Sequence, residues 1–255
     1  MSNKYVSFVS DAHLIKCIAN LHSAYVKSKR KFTKQEFYSN KVDVFKLIFD
    51  AKFNDLTEEK LIQAEILRQI DKTINNSIGT FHEDVLGGID GYEQGYLSGY
   101  DIKAKDGSVF ADIKNKHNTM NSSAAEALFQ KLASLADTNK KAKCYWVQIL
   151  AKKSFVELWK GDINGKEYSH TRVFKISGDK FYQLLTGERE ALYNLYKALP
   201  IAIEDYLNGL SVDATKNENS AMSEISFVAK RSERTIIDQI TLDNFKYYDG
   251  FEGLI

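Results

Sequence analysis

A chain of 255 residues is long enough for one substantial domain or a domain with an appended lobe. With 44% hydrophobic and 27% charged residues it reads as a globular protein, not a fibrous or disordered one. The net charge of +1 announces no polyanion partner; no run approaches the roughly 18 apolar residues of a membrane span, and MSNKYVSFVSDAH lacks a signal-peptide pattern, so a cytoplasmic location is expected.

The first 90 residues read mostly as helices. Ser10 and Asp11 can cap a helix to about residue 26, with Leu14, Ile18 and Leu21 at helical spacing. A second helix is expected over 34–53. A third starts at Thr57, whose hydroxyl can cap, with Glu58 and Glu59 suited to the positive helix start. After Asn75 and Asn76 a shorter helix carries Phe81, Glu83, Val85 and Leu86, and stops at Gly87-Gly88. A hairpin over 100–116 and a polar loop 117–121 precede a helix over 122–136. Residues 144–150 (CYWVQIL) read as a buried strand and 154–159 as its neighbour, with Lys152 and Lys153 in the turn between. Asn164-Gly165 marks a further hairpin, with 170–176 as the returning strand. Residues 178–185 and 188–207 are helical again, the latter containing Pro200, the single proline. A polar loop over 213–220, a basic segment over 230–234 and an aromatic tail follow. Cys17 and Cys144 share no metal or redox spacing and read as small buried side chains.

The order helix, strand, strand, helix, strand, strand predicts an α/β fold, a mixed β-sheet flanked by helices with helical additions at both ends. The division expected is a helical region over 1–76, a core over 77–187 and a mainly helical region over 188–255, together forming one compact unit.

The most informative stretch is YDIKAKDGSVFADIKNK, residues 100–116. A two-residue type I′ turn at Asp106-Gly107 would pair Lys105 with Ser108 and set the register of the whole hairpin. Tyr100 then faces Ile113, Ile102 faces Ala111 and Ala104 faces Val109, which makes one apolar face. The other face carries Asp101 opposite Asp112, with Lys114 two residues along. Directly opposed carboxylates repel at roughly 5 Å between Cβ atoms, which favours a cation between them. Asp101 and Asp112, with the Ile113 carbonyl as a third ligand, suit Mg²⁺, a hard ion that prefers oxygen and keeps several waters. Lys114 could orient an attacking water or neutralise a scissile phosphate. The pattern points to metal-dependent phosphodiester hydrolysis. The bland alternative is a solvated hairpin face of mixed charge.

The block ADIKNKHNTMNSSAAEALFQKL (residues 111–132) resembles the signature of type II restriction endonucleases of the PD-(D/E)XK superfamily, and in particular the family whose members recognise GGNCC. The segments TFHEDVLGGIDGY (80–92) and SGDKFYQLLTG (177–187) are similar to that family's TFHxxxLGxIxGW and S-G-x-x-F-Y-x-L-x-T-G patterns, so the likeness spans roughly 77–200. Asp112 stands where many such enzymes have Glu, and no proline precedes Asp101. The resemblance implies a PD-(D/E)XK nuclease core and adds Glu83, on the helix before the sheet, as a further metal acid. It also implies DNA contacts from Lys116, His117, Asn118, Asn121, Ser122 and Ser123, a polar loop entering a helix start where free N–H groups suit phosphate. Plain N-capping by Asn121 or Ser122 is compatible with that role. Gln130 is a weaker candidate one to two turns into the helix.

Nine Lys or Arg residues between Lys140 and Lys175 face only Glu157, Asp162 and Glu167, a local surplus of six. Lys152, Lys153, Arg172, Lys175, Arg231 and Arg234 are candidates for DNA contact at base edges. His82 and His170 lack a zinc spacing, and no Ser/His/Asp or P-loop arrangement appears. The expected function is therefore Mg²⁺-dependent cleavage of double-stranded DNA at a short palindrome, by a homodimer with a cognate DNA methyltransferase as genetic partner. The rivals are a repair or junction-cutting nuclease on the same core, a non-catalytic DNA-binding module whose acids are structural, and a purely structural helical protein, which the hairpin disfavours.

Overall fold

The computed structural model describes residues 3–30, 32–95, 99–116, 120–210 and 221–245. Two units emerge from the contacts: Met1–Leu21 with Ser77–Ser211, and His22–Asn76 with Val212–Ile255. The described residues of 1–21 and of 188–211 thus group with the sheet.

The first unit is built on a mixed six-stranded sheet. Strands β1 (Tyr92–Gln94), β2 (Ile102–Ala104), β3 (Val109–Lys116), β4 (Lys143–Leu150), β5 (Val156–Ile163) and β6 (Lys166–Ser177) lie in the order β1-β2-β3-β4-β6-β5. Neighbours β3, β4 and β6 run parallel, and the outer pairings are antiparallel. Strand β4 pairs with β6, not with β5 as the sequence suggested. The hairpin at Asn164-Gly165 turns β5 back along β6, leaving β5 with one partner and an exposed edge pattern. Strand β1 was not expected at all, being three residues long.

Helix α5 (Ser122–Thr138) covers one sheet face through Leu128, Phe129, Leu132 and Ala136, which pack on Phe110, Cys144, Trp159 and Val173. The other face carries the start of α1 (Asp11–Arg30), the end of α4 (Glu58–Gly87), α6 (Gly178–Thr186) and α7 (Ala191–Asn208). Gly178 opens α6 where a Cβ would stand 2.6 Å from the Ile149 carbonyl oxygen, so only glycine admits this close approach. Both cysteines are free and buried.

Helix α4 is continuous where two helices were expected. Asn75 does not break it, because its side-chain amide donates to the Asp71 carbonyl (2.9 Å) and carboxylate (2.8 Å) of the preceding turn. The opposite holds for 34–53. That stretch splits into α2 (Lys34–Ser39) and α3 (Val44–Phe53), with Asn40 extended and Asp43 capping the Lys46 N–H at 3.1 Å.

The second unit is helical. It packs Phe37, Val44, Leu47, Leu61, Ile62 and Ile66 with Ile225 of α8 (Ala221–Arg231) and Ile240 of α9 (Ile236–Phe245). The 213–220 loop and the aromatic tail beyond residue 245 lie outside the described residues. Among the described residues, no helix is long and apolar enough to cross a membrane.

Candidate active site

Ile102 faces Ala111 and Lys103 faces Phe110, the register expected for the hairpin, but the turn differs. Gly107 alone has positive φ (+72°), and its N–H donates to the Ala104 carbonyl at 2.9 Å. Asp106 stays at negative φ and instead accepts the Ser108 N–H at 2.9 Å, so a four-residue loop replaces the two-residue type I′ turn. Tyr100 also departs from the expected apolar face. Its ring meets Phe110 edge-on, centroids 5.2 Å apart, on the α5 side of the sheet.

Alternation along β3 sends Val109, Ala111 and Ile113 into the core, and Asp112 and Lys114 to the α5 side. Asp101, in the bend before β2, is stapled to β3 twice. Its N–H donates to the Ala111 carbonyl (2.8 Å), and its Oδ2 accepts the Ile113 N–H (2.6 Å). The regular pairing ends at Ile102–Ala111, so Asp101 is held beside the stretch of β3 that carries Asp112 and is not register-paired with it, contrary to what the hairpin alone had suggested.

Asp112 is only 4% exposed. Lys114 Nζ donates to its Oδ1, and Lys131 Nζ, from α5, lies 2.5 Å from its Oδ2. Lys114 Nζ also stands 3.4 Å from the Ile113 carbonyl oxygen.

Glu83 reaches the same place from α4. Burial and then the neighbouring charge of Asp101 push its carboxyl up to about 7, against the pull of Lys114. The Asp101 carboxyl is likewise raised, by burial first and Asp112 second, while the Ile113 N–H, Lys114 and Lys131 oppose the shift. Asp101, Asp112 and the two ammonium groups thus gather beside the β2–β3 hairpin, and Glu83 lies within electrostatic range of Asp101, Lys114 and Asp112. All three acids are hard oxygen donors able to hold a divalent cation.

The raised Glu83 value has a consequence for stability. The folded chain keeps this proton where the unfolded chain, at the ordinary 4.5, has lost it. The stability it contributes is complete below the unfolded value and is lost as the pH rises through about 7. In metal-free buffer, Glu83→Gln is expected to flatten the fall of the thermal midpoint between about pH 5 and pH 7. Identical slopes for the two proteins would show that Glu83 does not titrate there.

The remaining candidates are scattered. Lys116 ends β3, exposed and in register with Leu150. Asn121 is the N-cap of α5, its side chain accepting the Ala124 N–H at 2.9 Å, and Ser122 and Ser123 follow exposed in the first turn. His117 and Asn118 lie outside the described residues. Lys152 and Lys153 are exposed between β4 and β5. Arg172 is committed elsewhere: its guanidinium donates to the Asn139 carbonyl (3.3 Å) and to that of Lys140, holding the end of α5. Lys175 pairs with Glu157 at 2.9 Å. Arg231 and Arg234 belong to the second unit. Gln130 turns away from the acids to Glu126 (3.4 Å) and Tyr168 (3.3 Å). His82 is packed against Tyr182, its Nδ1 2.9 Å from the hydroxyl, and burial lowers it to about 4. His170 meets Asp137 at 3.3 Å through Nε2 and accepts the Arg172 N–H at 3.1 Å through Nδ1.

The helix residue that does reach the acids is Lys131. A signal for it existed, since Lys131 sits among the apolar positions Leu128, Leu132 and Leu135, where a lysine is out of place unless it has a buried partner. Strand β4 adds two more groups to this face. Trp146 is in register with Asp112 and buries an indole N–H that has no partner among the described residues, and the buried Gln148 is in register with Lys114. A glutamine inside CYWVQIL was the corresponding signal.

The chain resembles known proteins along most of its length. It is 38% identical to the type II restriction enzyme Sau96I of Staphylococcus aureus, over 96% of this chain and 97% of that one. It is 29% identical to the type II restriction enzyme Eco47II of Escherichia coli, over 80% of this chain and 88% of that one. The model of the Eco47II restriction endonuclease family matches residues 6–208, a span that holds all three acids and both lysines. The chain therefore belongs to the Eco47II family of type II restriction endonucleases.

Proposed function

We propose that the convergence of Asp101, Asp112, Glu83 and Lys114 is a Mg²⁺-dependent nuclease site of the PD-(D/E)XK kind, cutting double-stranded DNA at GGNCC or a related short palindrome. The observation that carries the reading is the pairing of Asp101 with β3. One hydrogen bond from the Ile113 N–H holds the Asp101 carboxylate against the strand that carries the Asp-x-Lys triplet, which supports two carboxylates and a lysine acting together. The GGNCC assignment rests on the likeness of the 111–132 block.

The residues suit a hard divalent cation. Among the described residues no three His, Cys, Asp or Glu side chains form a ready-made cage. Mg²⁺ does not require one, because it is commonly held by one or two carboxylates while water completes its shell. Burial and mutual repulsion already raise Asp101 and Glu83, and a cation between them would relieve that cost. A bound Mg²⁺ would supply charge neutralisation at the phosphoryl oxygens and activation of the attacking water. Asp101 and Asp112, with Glu83, would hold it. Lys114 would orient the attacking water or neutralise the scissile phosphate, its ammonium already placed on the Asp112 side of the strand. The first turn of α5, with its exposed serines and helix-start N–H groups, suits a flanking phosphate.

A two-fold symmetric sequence is most simply read by a two-fold dimer, each subunit cutting one strand. A cognate methyltransferase would protect the host DNA, and the enzyme would act in the cytoplasm.

The test is digestion of unmethylated plasmid with and without Mg²⁺, with end-sequencing of the products. Discrete fragments that require Mg²⁺ and carry GGNCC at their ends are expected. Structure-dependent nicking without a fixed sequence would refute the specificity, and metal-independent binding without cleavage would refute the nuclease.

A further inference from the structure

We infer that Lys131 is a placeholder for the divalent cation: in the DNA-free protein its ammonium occupies the Asp112 oxygen that a bound metal would need, and it yields that oxygen when DNA phosphate offers it another anion. The inference rests on the proposed metal role of Asp112.

Asp112 has two carboxylate oxygens and a cation on each. Lys114 takes Oδ1 from the same strand, and Lys131 takes Oδ2 at 2.5 Å from across the sheet–helix interface. One ammonium would suffice to compensate a single carboxylate. The second also compensates a carboxylate whose side chain is only 6% exposed, but it does so from a lysine that is itself 37% exposed and keeps its own access to water.

The path of Lys131 fits a side chain that can move. Its stem passes beside Gly99, where even an added Cβ would stand 3.9 Å from Cδ, so Gly99 leaves the side chain room. Its backbone, by contrast, is fixed, because the next residue, Leu132, is fully buried under the sheet. A rigid base and a half-exposed flexible arm let the ammonium swing from the carboxylate to a phosphate oxygen. The device makes metal uptake and DNA binding reinforce one another, as linkage requires when both release the same contact. It also keeps the site poorly charged with metal until substrate arrives.

The experiment is a Mn²⁺ titration of the DNA-free full chain, with free Mn²⁺ read by electron paramagnetic resonance, for wild type, Lys131→Met, Lys131→Arg and Asp112→Asn. Lys131→Met, which keeps the apolar stem and removes the charge, is expected to bind Mn²⁺ about tenfold more tightly than wild type. Lys131→Arg should return the affinity to the wild-type value, and Asp112→Asn should weaken it. Thermal unfolding establishes that each variant is folded, and Lys131→Gln provides a second neutral side chain. In Ca²⁺, Lys131→Met should also lower the salt dependence of DNA binding by about one phosphate contact. Equal or weaker Mn²⁺ affinity in both neutral variants, with binding still lost in Asp112→Asn, overturns the placeholder and leaves the metal site standing. If Asp112→Asn binds Mn²⁺ like wild type, or no protein binds it, the metal role of Asp112 falls and the placeholder with it.

Discussion

Asp112→Ala is expected to reduce Mg²⁺-dependent cleavage by about three orders of magnitude, the scale of losing several kcal/mol of charge stabilisation at a metal site. Folding should be nearly untouched. The reason lies in what surrounds the carboxylate. It is almost fully buried, next to Asp101 and within range of Glu83, so it costs desolvation and repulsion that only Lys114 and Lys131 offset. Without it, the two half-exposed lysines can extend into water and the remaining acids no longer feel its charge. The thermal midpoint should therefore stay level or rise, as is common where function holds like charges together. Asp112→Asn is the stricter version, since it preserves volume and removes only the charge. Plasmid-cleavage rates and thermal unfolding of the same preparations decide the matter. Retained cleavage would remove Asp112 from the mechanism, and a collapse of stability would make it a structural residue.

Leu132→Ala should give the opposite signature. Leu132 is 0% exposed on the sheet-facing side of α5, among Phe110, Phe129, Cys144 and Val173, and the loss of its side chain is expected to cost about 2–5 kcal/mol. That is a large share of the roughly 5–15 kcal/mol that holds an ordinary domain folded. Since α5 carries Lys131 and the exposed serines, loosening it also loosens the site. Cleavage should persist at low temperature, where the folded fraction is high, and fail well before wild type on warming. Urea unfolding measures the cost directly. A loss of under about 1 kcal/mol would mean that the sheet face closes over the gap. Seen together, the two variants separate a residue kept for chemistry from one kept for packing.

Several elements were readable because the deciding interactions are local. The hairpin register followed from alternation, and it held although the turn was different, because Ile102, Ala111 and Ile113 must share the buried face. The caps at Thr57 and Asn121 each needed only a side chain and the next turn of helix. The break between α2 and α3 was also local, at Asp43, but apolar periodicity over 34–53 concealed it. Asn75 misled in the other direction, since its amide can be satisfied within the helix.

The sequence by itself determined the alternating strands, the Asp-x-Lys triplet with a second acid on the facing segment, and the block that marks the family. These depend on neighbours within a hairpin's length, where backbone geometry leaves few choices. Only the tertiary structure decided that β6 lies between β4 and β5, that Glu83 is buried deeply enough, beside the charge of Asp101, to be raised to about 7, and that Lys131, not Gln130, reaches Asp112. Each of those depends on which faces of distant segments are buried against one another. That choice is made by packing the whole apolar surface at once, and no local pattern contains it.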